Sequence, residues 1–344
     1  MSQHDLTDLG WSAFYMSQLS LDELDLARFR IAEIHRNRLV AFGPDGPVDL
    51  TTHDLSSGDI TVGDWVLADQ QRVTRLLGRK TLIQRRAAGP GVAAQLIAAN
   101  VDALFIVTSC NADFNLRRLE RYLALAFESD VEPVVILTKA DLSQDAETYV
   151  GQAKGLHRRL EVIAIDARSP DVTQQLSPWC RKGQTVALAG SSGVGKTTLS
   201  NALTGATDQT AAIREDDARG RHTTTYRALH PLPDGGWIID TPGTRELRLT
   251  DVGDGIDTLF EDITMLAATC RFTDCQHQNE PGCAIRMAIE GGGLDEDRLR
   301  RWEKLKREDR FNTETLHERT ERYRAFGRLH NRLMKERDQW TKKR

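Results

Sequence analysis

The sequence predicts a multidomain α/β protein: an OB-like β-barrel, then a three-layer α/β sandwich, then a zinc-binding helical domain. Residues 29–88 alternate apolar and polar side chains between Gly, Pro and Asp turns, which is typical of short antiparallel strands. Residues 89–255 contain six apolar runs, mostly separated by helical stretches, as expected of a largely parallel sheet covered by helices. Residues 256–344 hold a cysteine cluster followed by a charged helical tail.

The barrel at 29–88 has the size and strand number of an OB-like fold, which often binds nucleic acid, and we expect it to bind RNA. The alternative is a barrel that only packs against its neighbour. Residues 1–28 form an acidic, weakly helical extension to which the sequence assigns no role.

Composition indicates a cytoplasmic globular protein without a membrane segment. The chain has 344 residues, 40% of them hydrophobic and 28% charged, with a net charge of -4. The first residues lack the basic start and apolar run of a secretory signal. The most apolar stretch, "VDALFIVTSC", is about half of the roughly 20 residues that a membrane helix needs. A net charge of -4 excludes a protein whose whole surface is basic, so any surface that binds nucleic acid must be a local basic patch.

A phosphate-binding loop is predicted at "GSSGVGKT", between an apolar strand and the start of a helix. Its glycines let backbone N–H groups turn toward phosphate oxygens, and the helix adds its positive end. We expect Lys196 to reach the β- and γ-phosphates and Thr197 to bind Mg²⁺. The alternative is a glycine-rich turn without a ligand. The predicted nucleotide contacts are Gly190, Ser191, Ser192, Gly193, Val194, Gly195, Lys196, Thr197 and Thr198.

The segment "DTPG" lies about fifty residues after the phosphate loop, at the end of the apolar strand "GWIID". An acid at the end of such a strand can hold Mg²⁺, and the glycine N–H can contact the γ-phosphate. We therefore expect Asp240 to contribute to the magnesium site and Gly243 to contact the nucleotide.

The segment "TKAD" predicts a guanine-reading site, although it lies upstream of the phosphate loop. The Asp141 carboxylate can accept hydrogen bonds from guanine N1 and the 2-amino group, while the Lys139 stem covers the base. An adenine would leave that acceptor unpaired. The first residue of such motifs is usually Asn, and the chain has Thr there. The predicted base contacts are Thr138, Lys139, Ala140 and Asp141.

The motif order is rotated relative to Ras-like GTPases, in which the phosphate loop comes first. A circularly permuted Ras-like P-loop GTPase sandwich explains the order, because domain termini are often close together at the surface. With "GRHTTT", "DTPGTREL" and "CRFTDCQHQNEPGCAI", the chain resembles the ribosome small-subunit-dependent GTPase A family, also called RsgA or YjeQ. The resemblance implies an OB domain, a permuted GTPase and a zinc domain. It also implies late maturation of the small ribosomal subunit, with GTP hydrolysis stimulated by that subunit.

The residue that aligns the attacking water is not the usual one. Ras-like enzymes place a Gln just after D-x-x-G, whereas this chain has Thr244. We expect Thr224, with Thr223 and Thr225 as alternatives, to bind Mg²⁺ in the first switch. His222 is the candidate for positioning the water, as the resemblance also implies. Its alternative role is contact with an rRNA phosphate. The predicted catalytic residues are His222, Lys196 and Thr224.

A structural zinc site is predicted from three cysteines and one histidine within fourteen residues: Cys270, Cys275, His277 and Cys283. Four protein ligands complete the tetrahedral coordination of a Zn²⁺ ion and leave no position for a catalytic water. The alternatives are a redox pair or scattered buried cysteines. The spacing departs from common zinc fingers and matches the family that the chain resembles.

The partners implied are the small (30S) ribosomal subunit and its rRNA, bound by a monomer that carries GTP or GDP, Mg²⁺ and one Zn²⁺. Basic residues of the tail, interleaved with Trp302, Tyr323 and Trp340, suit RNA contact, although they also suit a solvated helix. Two other functions are possible from the residues alone. One is a small-molecule kinase that uses the same loop, and the other is a zinc-containing RNA-binding regulator with weak nucleotide turnover.

Overall fold

The computed structural model describes residues 5–36, 38–52, 58–86, 94–206, 227–240 and 251–313. Within these ranges the expected order of barrel, α/β sandwich and helical C-terminal region is confirmed. No helix among the described residues is both long enough and apolar enough to cross a bilayer.

Five short antiparallel strands form the barrel. They are β1 (Ala27–Ile34), β2 (Leu39–Gly43), β3 (Gly46–Leu50), β4 (Trp65–Asp69) and β5 (Arg72–Leu76). Strand β1 pairs with both β2 and β4, which lets the sheet curl around a core that includes Ile31 and Val66. A parallel bridge between Thr51 and Arg72 joins the end of β3 to β5, so the pairing order is that of an OB-like barrel.

A separate hairpin follows the barrel and leads into the sandwich. Its strands are β6 (Leu82–Arg86) and β7 (Ala94–Ala99), which pair with each other and with no other described strand. The boundary expected at residues 88 and 89 therefore falls between the two strands of this hairpin.

All six apolar runs of the sandwich are strands. They are β8 (Ala103–Ser109), β9 (Glu132–Thr138), β10 (Glu161–Ala164), β11 (Thr185–Gly190), β12 (Ala228–Pro231) and β13 (Trp237–Asp240). Their spatial order is β10-β9-β8-β11-β13-β12, parallel except for the β12–β13 hairpin. Strands β8 and β11 are buried at every residue, as expected of strands covered on both faces.

Helices cover both faces of this sheet. They are α2 (Leu116–Glu128), α3 (Ala146–Lys154), α4 (Val172–Leu176) and α5 (Lys196–Thr204), and α1 (Ala13–Met16) lies in the N-terminal segment. Alternate residues of β8 point to opposite faces: Leu104 packs in the cluster that contains Leu123 of α2, and Phe105 packs with Leu199 of α5. These two clusters make the three layers.

Residues 5–26 pack across the junction between the barrel and the sandwich. Tyr15 is buried, and Trp11 lies edge-on to Trp65 of the barrel with ring centroids 4.9 Å apart. On the other side, Trp237 Nε1 donates to the Asp8 carbonyl at 2.6 Å. The buried Arg30 guanidinium donates to the Leu9 carbonyl at 2.7 Å. The extension, to which the sequence assigns no role, thus joins the two domains.

The C-terminal region contains α6 (Gly253–Leu259), α7 (Glu261–Ala267), α8 (Ala284–Glu290) and α9 (Glu296–Thr313). It docks on α2. The buried Glu120 carboxylate of α2 accepts from Arg301 Nε of α9 at 2.7 Å, and Glu128 accepts from the Gly255 N–H at 2.8 Å. Helix α6 spans the boundary expected at residue 255, and the tail after 313 lies outside the described residues.

Candidate nucleotide and zinc sites

The phosphate loop connects the end of β11 to the start of α5, as the sequence predicts. Gly190, Gly193 and Gly195 have φ angles of 139°, 81° and 97°, a region that glycine adopts without steric cost. A Cβ at Gly190 would collide with the Val107 carbonyl oxygen of β8. The local geometry therefore requires glycine, and it leaves the first N–H groups of α5 directed at the loop.

The Lys196 side chain folds back over this loop. Its Nζ donates to the Gly190 carbonyl at 2.9 Å and to the Ser191 carbonyl at 2.5 Å. The ammonium charge is therefore held against the backbone of the loop. Thr197 and Thr198 occupy the first turn of α5.

The predicted base-reading segment, residues 138–141, contacts the predicted phosphate loop directly. Strand β9 ends at Thr138, whose buried hydroxyl donates to the Val194 carbonyl at 2.5 Å and lies 3.1 Å from the Thr108 carbonyl. Lys139 has a left-handed φ of 58°, and its Nζ donates to the Gly193 carbonyl at 3.0 Å. These two hydrogen bonds join residues that are 56 and 54 positions apart in the sequence. Threonine in place of Asn still ties the two loops together.

Asp141 follows in a single 3₁₀ turn, Ala140–Leu142, and its side chain is exposed. It stands at the carboxyl edge of the sheet, on the same side as the phosphate loop, because β9, β8 and β11 are parallel. Ligands of open α/β sheets bind at this edge.

Sequence reasoning missed a third loop at this edge, residues 165–168. It follows β10, the neighbour of β9, and the Ala140 N–H donates to the Ile165 carbonyl at 3.3 Å. The Asp166 carboxylate accepts from the Arg168 N–H at 2.9 Å, which shapes the turn around the buried Ala167. The sequence does contain a signal for this loop. The apolar run "LEVIAIDA" is the next strand after "TKAD", and adjacent parallel strands end at the same edge of a sheet.

The backbone of Asp240 ends β13, which is parallel to β11. Its predicted magnesium contact lies outside the described part of the structure, as do the predicted roles of His222, Thr224 and Gly243. The segment 207–226 lies between α5 and β12, and 241–250 between β13 and α6.

The four predicted zinc ligands form one cluster, with their ligand atoms all within 4.8 Å of one another. His277 Nδ1 lies 3.7 Å from Cys270 Sγ and 3.6 Å from Cys283 Sγ, and these two sulfurs are 4.0 Å apart. Tetrahedral bonds of about 2.3 Å to sulfur and about 2.0–2.1 Å to nitrogen give separations of roughly 3.6 Å (N to S) and 3.8 Å (S to S). Cys270, His277 and Cys283 are therefore spaced as Zn²⁺ requires, and Cys275 is the fourth member of the cluster.

Residues around the cluster hold its ligands in place. Glu280 accepts from the backbone N–H groups of Gln276 and Gln278, each at 2.8 Å, which folds the loop between Cys275 and Cys283. Arg286 Nε donates to the His277 carbonyl at 2.6 Å. Burial lowers the pKa of His277, which favours the neutral imidazole that a metal requires.

Trp302, suggested by the sequence as an RNA contact, lies against this cluster. It is partly buried, and its ring centroid is 5.8 Å from that of His277.

A family model described as the RsgA GTPase matches residues 76–250. The "Small ribosomal subunit biogenesis GTPase RsgA" of Mesorhizobium japonicum is 54% identical over 319 residues, covering 91% of this chain and 92% of its own length. The chain belongs to the RsgA GTPase family. Like the family, it is a GTP hydrolase.

A second RsgA relative agrees with this assignment, and two solved structures share the fold. "Small ribosomal subunit biogenesis GTPase RsgA 2" of Vibrio vulnificus is 49% identical, over 96% of this chain and 95% of its own. The crystal structure of YjeQ from Thermotoga maritima matches with a TM-score of 0.60 at 23% identity, over 81% of this chain and 96% of that one. YloQ, described as a circularly permuted GTPase, has a TM-score of 0.59 at 23% identity, over 86% of this chain and 99% of that one. The permuted fold expected from the motif order is confirmed.

Proposed function

We propose that this chain binds GTP between the 138–141 and 190–198 segments and hydrolyses it on the small ribosomal subunit, as a monomer. One observation carries the nucleotide site: Thr138 and Lys139 are hydrogen-bonded to Val194 and Gly193. These contacts support a site in which the Asp141 carboxylate, suited to guanine, would lie near a loop suited to phosphates. The GTPase family favours this function over a small-molecule kinase or a regulator with weak turnover.

The phosphate loop supplies binding and charge neutralisation. Backbone N–H groups of 190–198 and the N-terminus of α5 would contact the phosphate oxygens, with Lys196 between the β- and γ-phosphates. Thr197, Thr224 and Asp240 are the proposed holders of Mg²⁺, which, when bound, neutralises charge that develops on the transferred phosphoryl group.

The base is read at the edge formed by the loops after β9 and β10. Asp141 would accept from guanine N1 and the 2-amino group, and the Lys139 stem would cover one face of the ring. The Ala140 N–H is hydrogen-bonded to the Ile165 carbonyl, so the 165–168 loop would help to hold the neighbouring Asp141 in position.

For the chemical step we propose that His222 orients the attacking water, since Thr244 stands where Ras-like enzymes have Gln. Replacing His222 by Ala is expected to reduce partner-stimulated turnover strongly while GTP affinity stays near the wild-type value. Unchanged stimulated turnover would remove the histidine from the mechanism.

The partner is proposed from the curated relatives, whose names describe them as small ribosomal subunit biogenesis GTPases. The OB-like barrel suits contact with rRNA. Cys270, Cys275, His277 and Cys283 would hold a Zn²⁺ ion with a structural role, because four protein ligands would leave no coordination position open for a catalytic water.

The test is GTP hydrolysis by the full chain, measured as phosphate release with and without purified small subunits. We expect a marked rise in turnover with small subunits, little rise with large subunits, and no hydrolysis of ATP. The Lys196→Ala variant controls for contaminating GTPases. Equal rates with both subunits would contradict the proposed partner, and equal use of ATP would contradict the base reader.

A further inference from the structure

A polar cavity lies where the N-terminal segment, the barrel and the sandwich meet. Its volume is about 150 Å³. An engineered protein cavity of that size holds benzene, so there is room for a ligand of roughly six non-hydrogen atoms. Gly10 and Tyr15 of the N-terminal segment line one side of the cavity, Arg30 of β1 lines another, and Asp102 and Thr185 line the side formed by the sandwich. The cavity therefore touches all three parts of the molecule.

This cavity is at the opposite edge of the sheet from the nucleotide site. Asp102 directly precedes β8, and Thr185 is the first residue of β11, whereas the phosphate loop follows the last residue of β11. Because β8 and β11 are parallel, their amino ends lie at one edge of the sheet and their carboxyl ends at the other. A ligand of this cavity is therefore separate from the guanine nucleotide.

Two buried polar groups of the cavity wall have no partner among the described protein atoms. Arg30 is 1% exposed, and its terminal nitrogens donate to the Leu9 and Asn100 carbonyls at 2.7 and 3.1 Å, but its Nε–H has no acceptor. The Thr185 hydroxyl is fully buried and also lacks a partner. Buried polar groups are nearly always hydrogen-bonded. A guanidinium N–H and a hydroxyl in one cavity suit a carboxylate, whose two oxygens can accept from both.

The charged residues that line the cavity balance one another. Arg30 and Lys80 are positive, and Asp102 and Asp130 are negative. The last three are exposed and lie at the mouth, whereas Arg30 lies at the inner end. Lys80 lies over the Tyr15 ring, 5.3 Å from its centroid, and forms no ion pair with a carboxylate in the described part of the chain. A ligand whose own charges cancel preserves this balance, with its negative end inward and its positive end toward the two acids.

We propose that the cavity binds a small zwitterion, an amino acid of the size of glycine or alanine. Its carboxylate would accept from Arg30 Nε and from the Thr185 hydroxyl, and its ammonium group would face Asp102 and Asp130. Arg30 belongs to the barrel and Thr185 to the sandwich, so the bound molecule would join the two domains at their junction.

The test uses the full chain saturated with GDP and Mg²⁺, with glycine as the probe. Binding is measured by saturation transfer from the protein to the ligand protons. It is also measured by the melting temperature at rising glycine concentration, since a ligand that binds only the folded state raises it. Acetate carries only the anionic group and methylammonium only the cationic group. Each should bind about tenfold more weakly than glycine, as expected for the loss of one charged contact.

Two variants remove one proposed contact each. Thr185→Val keeps the shape of the side chain and removes a hydroxyl without a protein partner, so the variant should fold like wild type and bind glycine about tenfold more weakly. Asp130→Asn removes one acid at the mouth and should weaken glycine binding about two- to fivefold, without weakening acetate. Asp171→Asn is the matched control, because Asp171 is an exposed aspartate before α4 and outside the cavity, and it should bind glycine as wild type does.

Three results would overturn the proposal. The absence of saturable glycine binding to the wild type would mean that the cavity holds only water. Acetate binding as tight as glycine binding would mean that the acids at the mouth recognise no ammonium group. Glycine binding that is unchanged in Thr185→Val, or weakened equally in Asp130→Asn and Asp171→Asn, would mean that glycine binds elsewhere on the protein.

Discussion

The hydroxyl of Thr138 offers a test of how the base reader and the phosphate loop are joined. Thr138→Val keeps the shape of the side chain but removes the donor to the Val194 carbonyl. Thr138 is fully buried, so water cannot replace the lost bond. Leaving a buried carbonyl without its partner costs about 1–3 kcal/mol.

Part of that cost should appear in nucleotide binding. Without the bond, the 138–141 and 190–198 segments must be brought into register when GTP binds, and we expect the dissociation constant to rise about tenfold, equal to about 1.4 kcal/mol. The remainder should lower the melting temperature of the nucleotide-free protein. Fluorescent GTP and GDP analogues measure the first effect, and thermal unfolding followed by circular dichroism measures the second.

Thr138→Ser is the matched control, since it keeps the hydroxyl and loses only a methyl group. It should bind GTP within about twofold of wild type, because the hydrogen bond is retained. A Thr138→Val variant that melts earlier but binds GTP as wild type does would show that the bond stabilises the fold without organising the site.

Three further outcomes follow from the described contacts. Glu120→Gln removes one charge of the buried ion pair with Arg301, which costs about 3–5 kcal/mol. The C-terminal region should therefore be held less firmly on α2, and hydrogen exchange in α9 should be faster. The double variant with Arg301→Met should recover protection, and equal exchange in all forms would contradict the docking. The Ser20 N–H and Arg75 lower the pKa of Glu23 to about 2, so the stability that its carboxylate contributes is present above the ordinary pKa of 4.5 and is lost as the pH falls toward 2. Between pH 4.5 and 2 the melting temperature of Glu23→Gln should therefore fall less steeply than that of the wild type. Parallel curves would show that Glu23 does not contribute to stability in this way. Purified protein should carry one zinc by elemental analysis, and Cys283→Ser should lose the metal and melt earlier, whereas retained zinc would remove that sulfur from the site.

The parts of the molecule that sequence predicts well are those with local signals. Each sandwich strand is a short apolar run buried on both faces, so it stands out from its neighbours. The phosphate loop requires glycine at positions with positive φ, and the zinc ligands lie within fourteen residues. In each case the physical constraint acts on residues that are close together in the chain.

The parts that sequence does not predict depend on long-range contacts. Nothing in residues 5–26 indicates that Asp8 accepts from Trp237, 229 positions away, or that Leu9 accepts from Arg30. The pairing of β1 with β12 is set by how the barrel lies against the sandwich. Trp302 looks like an exposed aromatic in a basic helix, and only the packing on His277 reveals its place.

The nucleotide selectivity of Asp141→Asn tests whether an upstream carboxylate and a downstream phosphate loop bind one guanine nucleotide. The variant replaces an acceptor by an amide that can donate to the 2-oxo group of xanthine. We predict that its affinity for GTP falls by about 10–150-fold, the equivalent of about 1.5–3 kcal/mol for a charged hydrogen bond, and that its affinity for xanthosine triphosphate rises. Unchanged affinity for both nucleotides would mean that the aspartate does not contact the base and that the two segments do not form one guanine site.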